Sequence, residues 1–234
     1  MAFNSSGNSF QKSNPVIFGL IVANVIVFAG QWVLTKFDFT NFISLHYITS
    51  PDFKPHQIIT SIFAHSPSMI THILFNMFCL YTFGTVLEKV WGSKRFFSFY
   101  MICGVGASII VLLTVPFSAE QYAKSAETLK DFGDANTAIE YYKNNYAALG
   151  ASGAIMGVEV AFAYLFPNTE LMMMFIPVPI KAKFLIPGFI LLDLFGGFSY
   201  RAGDNVGHFA HLGGALVGFI LVLYWNKTNK KTFY

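Results

Sequence analysis

The chain has 234 residues, of which 54% are hydrophobic and only 12% are charged, and its mean hydropathy is +0.53. An ordinary soluble domain has about 25% charged residues, so this composition indicates a membrane protein. It excludes disordered, collagen-like and disulfide-scaffold proteins. The net charge of +3 is too small to indicate a nucleic-acid-binding protein.

Six stretches of the chain are long and apolar enough to cross a membrane as helices. Crossing about 30 Å of hydrocarbon at 1.5 Å per residue takes about 20 apolar residues. The six predicted spans are 15–35, 69–88, 95–116, 149–166, 183–200 and 206–225. The sequence therefore predicts an all-α polytopic bundle over residues 15–225, between a short N-terminal segment (1–14) and a C-terminal tail (226–234).

The basic residues predict which ends of the spans face the cytoplasm. With the N-terminus inside, nine of the fifteen Lys and Arg residues fall on the inner side, close to the ends of spans. They are Lys12, Lys89, Lys94, Arg95, Lys181, Lys183, Lys227, Lys230 and Lys231. The sequence therefore predicts a multi-pass protein of the cell membrane with both termini in the cytoplasm.

Two connections are unusually long for a compact bundle. Residues 36–68 are aromatic and contain prolines, which favours a position partly in the membrane interface. Residues 117–148 are polar, with charges three and four residues apart, which predicts one or two solvated outer helices. A third connection, Leu171–Pro179, is apolar but too short to span, and we interpret it as interfacial or as a lead-in to the fifth span.

Polar side chains inside a span are costly, so each is a functional hypothesis. His72 and Asn76 are four residues apart and share one face of the second span. His211 lies near the start of the sixth span, three residues after His208, and Ser152 lies near the start of the fourth. In the predicted topology these three spans all enter from the outer side, so chemistry could be assembled in one layer near the outer face.

Small residues predict a close helix contact at the same place. Gly153 and Gly157 form a stripe on the fourth span, and Gly214 and Gly218 form another on the sixth. Glycines on facing helices let two backbones approach closely. A short hydroxyl and an imidazole from different helices need such an approach to come within hydrogen-bonding reach.

Taken together and in order, these motifs resemble the rhomboid intramembrane serine proteases. The resemblance rests on four motifs: His72-x-x-x-Asn76; Gly150-Ala151-Ser152-Gly153; Ala210-His211-x-x-Gly214-x-x-x-Gly218; and Glu88-x-x-x-Gly92 with Arg95. It implies a six-helix rhomboid-like bundle and a peptidase that cleaves other membrane proteins in or next to a transmembrane segment. It also implies membrane lipid as the surroundings. A metal site formed by His65, His72, His208 and His211 would lack a carboxylate or cysteine at a recognised spacing, so the sequence predicts no metal, and we expect neither a cofactor nor a nucleic-acid partner.

The resemblance assigns roles to residues of this sequence. It implies Ser152 as the nucleophile and His211 as the general base and then acid. It implies an oxyanion site formed by His72, Asn76 and the backbone N–H of Ser152. The residues that it implies as structural support are Gly150, Gly153, Met156, Gly157, Gly214, Gly218, Glu88 and Arg95.

The sequence shows no third member of a triad, so it predicts a Ser-His dyad. Asp204 is interpreted as the N-cap of the sixth span. Asp193 and Glu159 are interpreted as paired or protonated polar groups deeper in the bundle. Many members of the family have an aromatic residue one turn after the serine, against the imidazole; this chain has Met156 there, which leaves open how His211 is oriented.

Two other functions are compatible with the same residues. A catalytically inactive rhomboid-like protein would bind membrane clients without cutting them. A small-molecule transporter would need polar residues through the whole thickness of the membrane, whereas here they cluster toward one side. The number of copies in the assembly stays open.

Overall fold

The structure is a computed structural model that describes residues 6–173, 176–199 and 207–228. Its helices are α1 (Ser6–Ser13), α2 (Pro15–Val33), α3 (Phe39–Ile43), α4 (Gln57–Thr60), α5 (Ile70–Cys79), α6 (Thr85–Trp91), α7 (Ser93–Ala123), α8 (Ala126–Phe132), α9 (Ala135–Asn145), α10 (Ser152–Leu165), α11 (Ala182–Phe198) and α12 (His208–Thr228). Its strands are β1 (Leu45–His46), β2 (Ala147–Ala148), β3 (Glu170–Met173) and β4 (Ile176–Lys181).

Each of the six predicted spans corresponds to helix in the structure. The second span consists of α5 and α6, which a short π-helical segment (Leu80–Gly84) joins into one continuous helix. Among the described residues, four helices are long and apolar enough to cross a membrane: Pro15–Val33, Ile70–Trp91, Ser93–Ala123 and His208–Lys227. Helices α10 and α11 are shorter, with 14 and 17 residues. The helical membrane fold is confirmed, and a count of six spans is compatible with it.

Helix α10 is the central helix of the bundle. All ten of its residues from Gly153 to Phe162 are buried, and it packs against α7, α11 and α12. Its 14 residues extend over about 21 Å, less than the roughly 30 Å of a hydrocarbon core. Neighbouring helices therefore enclose α10 on its sides, and its first residue, Ser152, opens toward one end of the bundle.

The polar segment after the third span forms helices, as predicted. Helix α7 continues through Pro116 to Ala123, beyond the predicted end of that span, and α8 and α9 follow it. Helix α9 packs back on α7, where the rings of Tyr122 and Tyr142 lie 5.2 Å apart. Asp134 caps α9 by accepting hydrogen bonds from the backbone of Asn136 and Thr137, which satisfies N–H groups that a helix leaves unpaired.

Two short antiparallel strand pairs accompany the helices in the part of the chain that the structure describes. Strands β1 and β2 pair Leu45 with Ala148, so the first long loop is tied to the segment just before α10. Strands β3 and β4 form a hairpin that leads directly into α11. The apolar stretch that includes Leu171 is thus a lead-in to the fifth helix, but as paired strands. The alternating Pro177 and Pro179 do not prevent this pairing, because proline is tolerated on an edge strand.

Glu88 and Arg95 hold together the end of the bundle opposite Ser152. The buried Glu88 carboxylate accepts hydrogen bonds from the N–H groups of Val16 and Ile17, both at 2.9 Å, and from the hydroxyl of Ser93 at 2.7 Å. It therefore caps the positive end of α2. The Arg95 guanidinium stacks on the ring of Trp225 at 4.4 Å. These contacts place the start of α2 and the end of α12 at the same end of the bundle.

Candidate active site

The backbones of α10 and α12 touch along the predicted glycine stripes. A Cβ atom on Gly214 would overlap the carbonyl oxygen of Gly153, and one on Gly218 would lie 2.6 Å from the Cα of Gly157. A Cβ on Gly157 would lie 2.9 Å from the Gly214 carbonyl oxygen. Real side chains cannot approach so closely, so these three positions require glycine. This contact brings the first turn of α10 beside the first turn of α12.

Ser152 begins α10 immediately after a constrained glycine. Gly150 has φ of +135°, which is unfavourable for any residue with a side chain, and its N–H donates to the carbonyl of Ser61 at 2.9 Å. A side chain on Gly150 would also meet the imidazole of His72, 3.0 Å away. The turn therefore directs Ser152 into the helix start, where backbone N–H groups are unpaired and the helix dipole is positive.

His211 hydrogen-bonds to the carboxylate of Asp193, which the sequence interpretation placed deeper in the bundle. Its Nδ1 lies 3.0 Å from Oδ1 and 3.1 Å from Oδ2 of Asp193. An ionised carboxylate has no proton to donate, so Nδ1–H is the donor, and Nε2 keeps its lone pair. The imidazole is therefore held as the tautomer that a general base needs.

This contact corrects the prediction that no third residue supports the histidine. Asp193 is indeed paired, and it lies only about 2 Å deeper than His211, close enough to hydrogen-bond to it. Asp193 precedes the end of α11 by five residues, and His211 follows the start of α12 by three, which places them about 7 Å and about 5 Å from the same end. The other aspartate, Asp204, lies outside the described residues.

Met156, one turn after Ser152, packs between α10, α11 and α12. It is 8% exposed and belongs to a cluster with Val160, Ile186 and Ala215, from α10, α11 and α12. Its thioether is a flexible, apolar group and fixes a neighbouring ring less firmly than a directed hydrogen bond does. The bond to Asp193 therefore provides the orientation of His211 that the sequence left open.

The structure brings the helices of Ser152 and His211 together but does not join their side chains. A Cβ on Gly153 would lie 3.0 Å from the carbonyl oxygen of Ala210, so the residues adjacent in sequence to Ser152 and His211 are in contact. No hydrogen bond between Ser152 Oγ and His211 Nε2 is present among the described residues. Catalytic hydrogen bonds are often long without substrate and tighten when it binds.

His72 faces the serine from the second span. The N–H of Ser66 donates to its Nδ1 at 3.4 Å, so the proton of a neutral ring is on Nε2. The His72 Nε2 and the Ser152 Oγ lie 3.0 Å and 3.6 Å from the same point, the position of a Cβ on Gly150. A hydrogen-bond donor and the hydroxyl therefore flank one glycine.

Asn76 lies one turn below His72 and is buried, with 6% of its surface exposed. Its Nδ2 donates to the carbonyl of His72 at 2.8 Å. That bond uses one of the two N–H groups of the amide. The structure thus places Asn76 on the same helix face as His72, as predicted, with part of its hydrogen-bonding capacity committed to its own helix.

His65 packs against His72 from the loop that precedes α5. It is fully buried, and its ring lies edge-on to the His72 ring at 5.1 Å. Gln31 of α2 fixes its backbone from both sides, donating to the His65 carbonyl at 2.8 Å and accepting from the His65 N–H at 3.0 Å. Burial, together with the neighbouring His72, lowers the pKa of His65 to about 4. His65 is therefore neutral at physiological pH and adds no charge beside His72.

Comparisons with known proteins agree with this geometry. The family model described as Rhomboid domain matches residues 52–227. The chain is 30% identical over 227 residues to Rhomboid protein 1, mitochondrial, of Saccharomyces cerevisiae, and 32% identical over 229 residues to RHOMBOID-like protein 12, mitochondrial, of Arabidopsis thaliana. Each match covers 95% of this chain, but 57% of the yeast protein and 61% of the plant protein. The Presenilin-associated rhomboid-like protein, mitochondrial, of Rattus norvegicus is 28% identical over 226 residues, 94% of this chain and 51% of the rat protein.

Proposed function

Because the chain belongs to the rhomboid family, we propose that it is an intramembrane serine endopeptidase. In this proposal it cleaves peptide bonds in or next to transmembrane segments of membrane-protein substrates. The observation that carries the proposal is the hydrogen bond between His211 Nδ1 and Asp193. Asp193 binds Nδ1 at 3.0 Å, which leaves Nε2 basic beside the helix that starts at Ser152.

The proposed reaction uses Ser152 and His211 in two steps. His211 Nε2 accepts the proton of the Ser152 hydroxyl as Oγ bonds to the substrate carbonyl carbon. The same proton then passes to the leaving amide nitrogen as the C–N bond breaks, which gives an acyl-enzyme. A water molecule, deprotonated by His211, hydrolyses that ester and restores the serine.

The proposed oxyanion site consists of three donors around Gly150. They are the Nε2–H of His72, the free N–H of the Asn76 amide and the backbone N–H of Ser152. Each preorganised donor of this kind is worth roughly 3–4 kcal/mol in the transition state. Support comes from the position of His72 Nε2 and Ser152 Oγ around the same glycine, and from the positive end of α10.

We propose that the chain is oriented with both termini on one side of the membrane and Ser152 toward the other. The contacts of Glu88 and Trp225 place the start of α2 and the end of α12 at one end of the bundle, which supports this orientation, as do the basic residues near that end. Several relatives are mitochondrial by name, and the proposed orientation applies equally to a mitochondrial inner membrane and to the cell membrane. A substrate helix must unwind to present its carbonyl, so segments with Gly or Pro should be preferred.

The test compares three purified proteins on one substrate. A fluorogenic peptide that contains a transmembrane segment with Gly and Pro near one end is added to the parent, Ser152→Ala and His211→Ala in detergent micelles. We expect the parent to cleave it and both variants to lose cleavage, while all three melt at similar temperatures. Cleavage that survives in Ser152→Ala would refute the assignment of the nucleophile.

A second candidate function is binding of membrane clients without cleavage. The observation in its favour is that Ser152 Oγ and His211 Nε2 are not hydrogen-bonded in this structure. In that case the parent would retain a transmembrane peptide as tightly as Ser152→Ala does, and neither would cut it. Family membership gives no comparable support to the transporter interpretation.

A further inference from the structure

The start of α12 carries a second histidine that the proposed reaction does not use. His208 Nδ1 lies 2.7 Å from Asp193 Oδ1, the same oxygen that His211 Nδ1 approaches at 3.0 Å. The carboxylate side chain is 11% exposed, and the side chains of His208 and His211 are 17% and 19% exposed. One largely enclosed carboxylate therefore holds two imidazoles from one helix.

Helix α11 provides a fitted seat for the His208 ring. A Cβ on Gly196 would lie 2.5 Å from His208 Nε2 and 2.9 Å from its Nδ1, so only glycine leaves room for the ring. Gly196 follows Asp193 by three residues and shares its helix face. The seat at Gly196 and the carboxylate of Asp193 are thus adjacent on the face of α11 that contacts α12.

The seat and the short hydrogen bond together restrict the Asp193 side chain. A carboxylate held by one donor can rotate about its side-chain torsions, whereas a second donor fixed on a rigid helix selects one orientation. Neutral His208 already carries a proton on Nδ1 when it donates to the carboxylate, so the restriction does not require a charged ring. What changes when His208 is removed is the direction in which Asp193 presents its oxygens to His211.

We propose that His208 is a positioning residue, which fixes the Asp193 carboxylate so that His211 Nε2 is aimed at Ser152. This inference rests on the proposed peptidase function. A misplacement of catalytic groups by about 1 Å lowers a rate by roughly a hundredfold. Because the substrate does not contact His208 in this proposal, turnover should fall while KM stays the same.

The experiment compares side chains that place a donor at different positions. In His208→Asn the amide nitrogen occupies nearly the position of His Nδ1, whereas in His208→Gln it lies one bond further out, and His208→Leu has no donor. With the fluorogenic transmembrane peptide in micelles, we expect kcat to fall about 10- to 100-fold in His208→Leu and His208→Gln. We expect His208→Asn to remain within about fivefold of the parent, with KM within about twofold in all three.

An independent variant tests the seat without altering His208. Gly196→Ala should displace the ring and lower kcat as His208→Leu does. Gly188→Ala is the matched control, since it lies on the same helix and a Cβ there has no atom within 4 Å; we expect it to retain parental turnover. Melting temperatures of all variants identify any loss of fold.

The outcomes separate this inference from the proposed function. An inactive parent would refute the peptidase function itself. An active parent with His208→Leu or His208→Gln at parental kcat would refute the positioning role, and so would equal kcat in His208→Asn and His208→Gln. If His208→Leu does not fold, the comparison of Asn with Gln, two polar side chains of similar character, decides the question.

Discussion

The two helices that flank α12 are attached to it in different ways. Helix α10 meets α12 backbone to backbone, through Gly153, Gly157, Gly214 and Gly218. Helix α11 meets α12 through side chains, where Asp193 hydrogen-bonds to His208 and His211 and aromatic rings pack nearby. His211 lies between the two contacts and depends on both.

The two contacts determine different properties of His211: its distance from Ser152 and the nitrogen that carries its proton. The glycine contact determines how near α12 comes to Ser152, and it leaves no space for a methyl group. The polar contact determines which nitrogen of His211 carries the proton, and it can be altered by one atom without changing the volume of the side chain. We therefore expect substitutions at the first contact to affect folding and substitutions at the second to affect turnover.

The largest effect is expected for Gly214→Ala at the contact with α10. The added methyl group would overlap the carbonyl oxygen of Gly153, which forces the two backbones apart. We expect a loss of about 3 kcal/mol or more in the free energy of unfolding, measured by thermal or denaturant unfolding in micelles. Gly188→Ala is the control, and a Gly214→Ala protein as stable as that control would contradict the glycine contact.

The next effect is expected for Asp193→Asn at the contact with α11. An amide N–H facing His211 would shift the imidazole proton to Nε2, which removes the base. By analogy with the same change in serine proteases, we expect kcat to fall by about 10⁴-fold, while the free energy of unfolding changes by about 1 kcal/mol. Asp131→Asn, at an exposed position on α8, is the control. Turnover within tenfold of the parent would show that Asp193 does not orient the base.

The smallest effect is expected for Phe198→Leu, which removes an aromatic contact at the same helix pair. The Phe198 ring lies 6.0 Å from Phe209 and 5.4 Å from Phe117. We expect a loss of about 0.5–1.5 kcal/mol in stability with turnover unchanged. Phe195→Leu is the control, because Phe195 is on the same helix and makes no ring contact among the described residues. A large fall in turnover for Phe198→Leu alone would show that packing, more than the carboxylate, orients His211.

Much of the site was predictable because its signals are local in the sequence. The motifs around Ser152, His211 and the His72–Asn76 pair identified the family, and the family match confirms it. The glycine stripes predicted a close helix contact, and the structure has it. The catalytic roles of Ser152, His211 and the His72–Asn76 pair remain predictions.

Other parts of the site were not predictable. Asp193 was interpreted as a paired group, but its partners could not be named, because they lie on a different helix, α12, that only packing brings against α11. His65 received no specific role, since its contact with His72 arises from a loop that Gln31 of α2 holds in place. Helix boundaries and loop paths depend on packing, which a single sequence encodes only weakly.

The sequence by itself determined that this protein is a helical membrane protein with a serine and a histidine on two glycine-striped helices. Hydropathy, spacing along a helix and small-residue patterns are properties of neighbouring residues, so they can be read without coordinates. Only the tertiary structure decided that α11 lies against α12 and brings Asp193 to two histidines, 15 and 18 residues away in the chain. The physical reason is that a hydrogen bond requires atoms within about 3 Å, and that distance is set by how the helices pack.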